Sequence, residues 1–212
     1  GLAEFRPLSM EPGRKNMNSI RIFFVASLLF LGLGVRCEAA ENQLEKWYTY
    51  WGLGISNIKH PEPFNGLLNL LEVFPGVTRT QLNIDLLGFY KPVNTKMMAG
   101  FVVNGAADRT EVEGEGSMQV NLYTYAASVQ YFPKEIGKGL FCRGDFGIAS
   151  ANVSIDDEDQ GSSDSGLGLL VGIGYAHPIT PGTRLALNLN YASRSIEGDN
   201  WGTVGISLGG LF

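Results

Sequence analysis

Apolar residues alternate with polar or small residues along most of the chain. The alternation is clearest in Thr80–Tyr90. There, Leu82 and Ile84 share one side, whereas Asp85 falls on the other. A period of two residues predicts a β-strand with two unlike faces. Because such stretches recur and no continuous helical pattern of similar length interrupts them, the sequence predicts an all-β protein.

Eight stretches carry this period, and each is predicted to be a strand. They are Trp47–Asn57, Thr80–Tyr90, Lys96–Ala107, Met118–Phe132, Leu140–Val153, Gly166–Ala176, Arg184–Arg194 and Trp201–Phe212. The second, fourth and sixth connections are short and carry proline, whereas the others are longer or more charged. Short periplasmic turns opposite longer external loops are typical of transmembrane β-barrels. This asymmetry places both ends of the barrel on the periplasmic side, which requires an even number of strands.

One segment departs from the strand period. Asn65–Phe74 has apolar residues at positions 67, 70, 71 and 74, and this spacing is helical. We predict a short helix that packs its loop onto the rim of the barrel. A lid, or a helix lying at the membrane interface, is the alternative.

The fold class predicted from these patterns is an eight-stranded antiparallel up-and-down transmembrane β-barrel. A soluble sandwich or a lipocalin-type barrel would show the same alternation with inside and outside exchanged, so the period alone does not orient the faces. Small residues on the polar faces and the aromatic residue at Phe212 favour the membrane barrel. Nine aromatic residues near the predicted periplasmic ends should then form a girdle at the interface. They are Trp47, Tyr48, Phe89, Tyr90, Tyr131, Phe132, Phe141, Tyr175 and Phe212.

Composition and the N-terminal residues refine this prediction. The net charge is -5, so the chain has no electrostatic footprint for nucleic acid. Residues 17–39 have the pattern of a cleavable signal peptide, with basic residues before the apolar run Ile22–Val35 and small residues after it. We therefore expect an unstructured upstream or vector-derived segment at 1–16, a signal peptide at 17–39 and a barrel at 40–212.

The last residues carry a family resemblance. The chain resembles the small outer-membrane barrels of Gram-negative bacteria, such as the OmpA transmembrane domain, OmpX and opacity-type proteins. The resemblance rests on the signal-peptide pattern, the eight regularly spaced strands and the final VGISLGGLF. The resemblance implies a location in the bacterial outer membrane and contact with its lipid and lipopolysaccharide. It also implies that the barrel-assembly machinery reads the terminal strand. The matching positions are Val204, Ile206, Leu208 and Phe212, while Gly210 departs from the larger apolar residue that is usual there.

Seven polar or charged residues share the faces opposite the apolar ones. They are Asn83, Asp85, Arg143, Asp145, Arg184, Asn188 and Asn190. An eight-stranded barrel has an interior that side chains can fill. We expect these residues to form a network inside it, because an unpaired buried charge is costly. A water-filled path for a narrow solute pore is the alternative, and the glycines of Gly166–Ala176 leave room for either.

The sequence shows few residues in patterns that would support catalysis or metal binding. The sequence has two histidines, His60 and His177, and no Ser-His-acid or His-Asp constellation stands out. Ser56 lies four residues before His60, which is about 13 Å along a strand and too far for contact. The acidic stretch 156–159 lacks the EF-hand pattern. We therefore predict no enzymatic activity, no cofactor and no metal. The expected function is structural or surface-interacting, with a narrow pore and a lipid-modifying enzyme as alternatives.

Overall fold

The computed structural model describes residues 45–156, 158–180 and 182–212. Nine strands and one helix form there: β1 Tyr48–Lys59, α1 Phe64–Leu71, β2 Val77–Pro92, β3 Met97–Val112, β4 Gly116–Tyr131, β5 Gly139–Ile155, β6 Glu158–Ser162, β7 Gly166–Thr180, β8 Thr183–Ile196 and β9 Asp199–Leu211. The predicted signal peptide lies outside the described residues.

Eight of these strands close a barrel. Each pairs antiparallel with the next, and β1 pairs with β9 along Tyr50–Lys59, which leaves no open edge in the ring. The short strand β6 pairs only with β5 and extends it as an external hairpin. The predicted eight-stranded antiparallel up-and-down barrel is confirmed, and all eight predicted strands are present.

The strands extend further than the alternation predicted. Residues 108–117 lie between the predicted third and fourth strands, but β3 continues to Val112 and β4 begins at Gly116. The ladder between them is unbroken to the pair Val112 and Gly116. Backbone hydrogen bonds sustain a strand pair even where both faces are polar, so the polar composition marks the end of the apolar surface and not the end of the strands.

The outer surface of the barrel is an apolar belt. Ile55 on β1 is 69% exposed, Ile173 on β7 is 58% exposed and Leu187 on β8 is 52% exposed. A soluble barrel would bury these side chains, whereas lipid solvates them. The belt ends towards the long loops where outward positions become polar, for example at Asn57 and Arg109. A closed barrel with this belt is of the outer-membrane type, and it confirms the predicted location.

The aromatic girdle is smaller than predicted. Trp47, Phe89, Tyr131, Tyr175 and Phe212 are outward and exposed. The other four, Tyr48, Tyr90, Phe132 and Phe141, are buried inside the barrel. The prediction was wrong for them because neighbours along a strand face opposite sides. In the pairs 89/90 and 131/132, only one ring can face lipid.

The first external loop carries α1. The predicted helix is confirmed, although it ends at Leu71 and the chain turns before Phe74. Leu68 is buried, whereas Leu67 and Leu70 are exposed. Among the described residues, no helix is both long enough and apolar enough to cross a membrane.

Candidate functional site

The middle of the barrel contains a charge cluster. Arg143 on β5 donates from Nη2 to Asp85 on β2 at 2.8 Å and to Asp145 at 2.7 Å, and its Nε donates to both Asp145 oxygens at 3.0 Å. Arg143 and Asp145 share a face because they are two residues apart on one strand. All three side chains are buried. The arginine therefore links two strands across the interior.

Uncharged groups complete the coordination of Asp145. Ser128 donates to its Oδ1 at 2.5 Å and Asn104 donates to its Oδ2 at 3.3 Å. The Tyr90 hydroxyl lies 2.9 Å from Ser128 Oγ and donates to it, because the Ser128 hydrogen is committed to Asp145. Both oxygens of this buried carboxylate therefore have neutral donors in addition to the arginine.

A second buried arginine lies nearer the long loops. Arg194 donates from Nε to Thr124 at 2.8 Å, from Nη1 to Thr203 at 3.1 Å and from Nη2 to Asn104 at 3.1 Å. These three hydrogen bonds go to neutral side chains. Because Asn104 bonds both Asp145 and Arg194, it connects the second arginine to the charge cluster.

The remaining predicted network residues are all buried, and none of them bonds Arg143 or Asp145 directly among the side-chain contacts of the described residues. Asn188 donates to the Tyr50 hydroxyl at 2.7 Å. Asn83 and Asn190 line a cavity of about 20 Å³, a volume that admits one water molecule. Arg184 lies towards the short turns, with its guanidinium 5.3 Å from the centre of the Tyr48 ring. The structure therefore brings Asp85, Arg143 and Asp145 into one cluster. Asp85 lines the same cavity as Asn83 and Asn190, whereas Asn188 and Arg184 lie beside Tyr50 and Tyr48.

Apolar layers close the barrel on both sides of these polar residues. Towards the short turns, buried aromatic and aliphatic side chains pack together: Tyr48, Tyr50, Tyr90, Met98, Phe132, Ile136, Phe141, Ala176, Ala186 and Leu211. Towards the long loops, a second layer packs beneath Phe64 and Trp201: Ile58, Ala106, Val120, Leu122, Ala149, Ala151 and Ile196. Between them lie the polar residues described above and the cavity of about 20 Å³.

A second charged cluster, the mouth cluster, lies at the external end. Asp108 accepts hydrogen bonds from Arg79 Nη2 at 2.6 Å, from Gln81 Nε2 at 2.8 Å and from His60 Nε2 at 2.5 Å. The His60 ring is covered by Phe64 of α1 and by Trp201, each with ring centroids 5.2 Å away. This His-Asp pair did not stand out in the sequence, because 48 residues separate the partners along the chain.

The mouth cluster stabilises the charge of Asp108, which lies beyond the apolar belt. Burial acts to raise the pKa of this carboxyl, but the hydrogen bonds from His60, Arg79 and Gln81 act in the other direction and lower the pKa to about 2. Asp108 is therefore ionised at neutral pH and holds the three donors in place.

A polar groove lies beside the mouth cluster, between α1 and the outer ends of β1 and β2. Its volume is about 450 Å³. The lining residues are Ser56, Asn57, Ile58, Lys59, Asn65, Asn69, Glu72, Arg79 and Gln81. Most of them carry amide or charged groups.

Metal binding finds no support in the described part of the chain. No group of three or more His, Cys, Asp and Glu side chains there is placed to hold a metal ion. In the acidic hairpin after β5, Asp156 accepts a hydrogen bond from the Ser117 backbone N–H at 2.8 Å. Asp159 accepts one from the Asn152 side chain at 2.8 Å.

The residues predicted as an assembly signal lie on the outward face of the closing strand and at its end. Val204, Ile206, Leu208 and Phe212 are all exposed there. Phe212 stacks on Trp51 of β1 with ring centroids 6.4 Å apart. Its backbone N–H donates to Thr49 O and its carbonyl accepts from Thr49 N, each at 2.9 Å.

No family model matches the sequence, and no curated protein matches it. Among solved structures, the chain is similar to Ail, the attachment invasion locus protein of Yersinia pestis, at 15% identity and a TM-score of 0.46, over 80% of this chain and 100% of that one. It is also similar to Neisserial surface protein A at 14% identity and 0.40, over 78% and 96%. The outer membrane protein OprG from Pseudomonas aeruginosa matches at 13% identity and 0.40, over 79% and 96%. At these identities the similarity is one of fold.

Proposed function

We propose that this protein is an outer-membrane barrel with a structural or surface-interaction role. Its strands hold the external loops rigidly, and those loops contact the environment or lipopolysaccharide. The observation that supports this role best is the filled interior. Two apolar layers enclose the polar middle, and Arg143 joins β2 to β5 across it.

A narrow solute pore is the second candidate, and one observation favours it. Within residues 45–156, 158–180 and 182–212, several inward polar atoms have no hydrogen-bond partner, among them Asn83 Oδ1, Asn190 Oδ1 and Ser207 Oγ. Such atoms favour water inside the barrel. The apolar layer that includes Tyr48 and Leu211 nevertheless separates these polar residues from the end of the barrel with the short turns.

Single-channel recording in planar bilayers tests the filled barrel. We expect the refolded protein to show no stepwise conductance. Gly172 and Gly144 provide matched variants, because a Cβ at inward Gly172 meets Asn190 whereas a Cβ at outward Gly144 meets nothing within 4 Å. Stepwise openings that Gly172→Ala abolishes and Gly144→Ala preserves would show a pore through this interior and overturn the proposal.

Lipid-modifying chemistry is less well supported, although the mouth cluster contains a His-Asp pair. The side chains of His60 and Asp108 are 0% and 2% exposed, so a lipid headgroup cannot reach them without displacement of α1. We therefore propose a protein without enzymatic activity.

We also propose that the barrel-assembly machinery recognises β9. Support comes from the outward alternate positions Val204, Ile206 and Leu208, which form a continuous apolar face. Phe212 extends this face to the rim, next to the first strand of the barrel. Because β9 closes the ring by pairing with β1, its apolar face is a suitable segment for recognition before closure.

A further inference from the structure

We propose that the groove between α1 and the outer ends of β1 and β2 binds a neutral saccharide. The inference deepens the proposed surface-interaction role and rests on it. The groove volume of about 450 Å³ is within the range of small-molecule sites. It opens beyond the apolar belt, since Asn57 is the first polar outward residue of β1 after Ile55. The ligand therefore meets it from the external aqueous side.

The lining chemistry matches hydroxyl groups. Asn57, Asn65, Asn69 and Gln81 contribute four amide side chains, and each amide both donates and accepts hydrogen bonds. A sugar hydroxyl likewise donates and accepts. Gln81 and Asn65 already bond within the protein, so Asn57 and the NH2 group of Asn69 are the amide groups offered to a ligand.

The charges around the groove balance. Lys59 and Arg79 supply two cations, while Glu72 lines the groove and Asp108 lies directly behind Arg79. Arg79 is further neutralised by Glu72, whose carboxylate lies 3.6 Å from its Nη1. A polyanion such as a sulfated or phosphorylated glycan needs uncompensated cations, so this balance favours an uncharged ligand.

Hydrogen bonds fix several side chains of the groove before any ligand binds. Asp108 holds Arg79 and Gln81, and Gln81 also bonds the Ile58 backbone in both directions, at 3.3 Å and 3.4 Å. The Asn65 Oδ1 atom accepts from the His60 backbone N–H at 3.3 Å. A site whose side chains are already fixed loses less conformational entropy when a ligand binds.

Binding to an array of immobilised neutral, sialylated and sulfated oligosaccharides tests the proposal, with the full barrel refolded in detergent. We expect neutral glycans to be retained. Asn57→Ala and Asn69→Ala should each weaken the binding roughly five- to tenfold, because each removes a hydrogen-bonding amide. Asn200→Ala, an exposed amide outside the groove, is the matched control and should bind as the native protein does. Heat-modifiable gel mobility verifies that every variant is folded.

Three results would overturn the proposal: no retention of any neutral glycan, retention of sulfated glycans alone, or equal binding by the native protein and the double variant Asn57→Ala with Asn69→Ala.

Phosphatidylcholine vesicles with and without lipopolysaccharide distinguish the source of the sugar. Competition by lipopolysaccharide vesicles alone indicates a membrane glycolipid, and competition by free neutral oligosaccharide indicates an external glycan. A barrel that conducts ions and binds neutral glycans would refute the proposed function and leave this inference intact. A barrel that shows no conductance and binds no neutral glycan would refute this inference and leave the proposed function intact.

Discussion

The central charge cluster and the mouth cluster are both built from arginine and aspartate, but the elements that hold them differ. In the centre, Arg143, Asp85 and Asp145 all project from barrel strands, and the partners that complete the cluster do so as well. At the mouth, Arg79 and Asp108 project from strands, whereas His60 follows the end of β1 and is covered by α1.

This difference suits the central cluster to stabilising the barrel and the mouth cluster to ordering the external surface. The central cluster lies between the two apolar layers, so its charges depend on each other and on the neutral donors that bond them. The mouth cluster borders an open groove and a loop helix, so its donors can be rearranged at lower cost. We therefore assign the central cluster to barrel integrity and the mouth cluster to the order of the external surface.

The largest effect should come from breaking the central cluster. Arg143→Met leaves Asp85 and Asp145 buried without their counter-charge, and we expect a loss of about 3–5 kcal/mol in the free energy of unfolding. Denaturant titration of the refolded barrel in detergent, followed by tryptophan fluorescence, measures it. Arg143→Met combined with Asp85→Asn and Asp145→Asn is the control and should recover most of the loss. If the single variant is as stable as the native barrel, the cluster does not contribute to integrity.

A smaller effect should appear at the mouth in acid. The pKa of Asp108 is about 2 in the folded protein, below its ordinary value of 3.8. A lowered pKa stabilises the fold above the ordinary value, and this contribution is lost as the pH falls from about 4 towards 2, on the order of 2 kcal/mol in total. Denaturant titrations across this window should show the loss in the native protein. Asp108→Asn should be less stable at neutral pH and should lack that part of the acid dependence. An identical acid dependence in both proteins would contradict this assignment.

The smallest effect on the barrel should come from releasing α1. Phe64→Ala removes the ring that covers His60, and we expect the strands to lose at most about 1 kcal/mol because the helix lies outside their ladder. Limited proteolysis should nevertheless cleave the segment 64–76 several-fold faster. Leu67→Ala, which truncates an exposed side chain on the same helix, is the control and should leave the cleavage rate unchanged. Equal cleavage of native protein and Phe64→Ala would show that this contact does not order the loop.

Much of the fold was predictable because a barrel repeats one local rule. The dyad period located all eight strands and placed Asp85, Arg143 and Asp145 on shared faces. The same rule, applied further, could have found Arg194 and Thr203: Arg194 shares the parity of Asn188 and Asn190 on β8, and Thr203 falls on the small-residue face of β9. The mouth cluster gave no such signal, because His60 and Arg79 flank an irregular, proline-rich segment where no period applies.

The sequence by itself determined the barrel, its strand number and which side chains share a face, since these follow from the backbone period and the hydrophobic effect. Only the tertiary structure decided which residues on a face meet. Arg143 contacts Asp85 across 58 positions and His60 contacts Asp108 across 48, through the register of strands that are distant in the sequence. Register depends on the closure of the whole ring and on how loops pack at its end. The groove beside α1 arises from that packing, so it cannot be predicted from the alternation of residues.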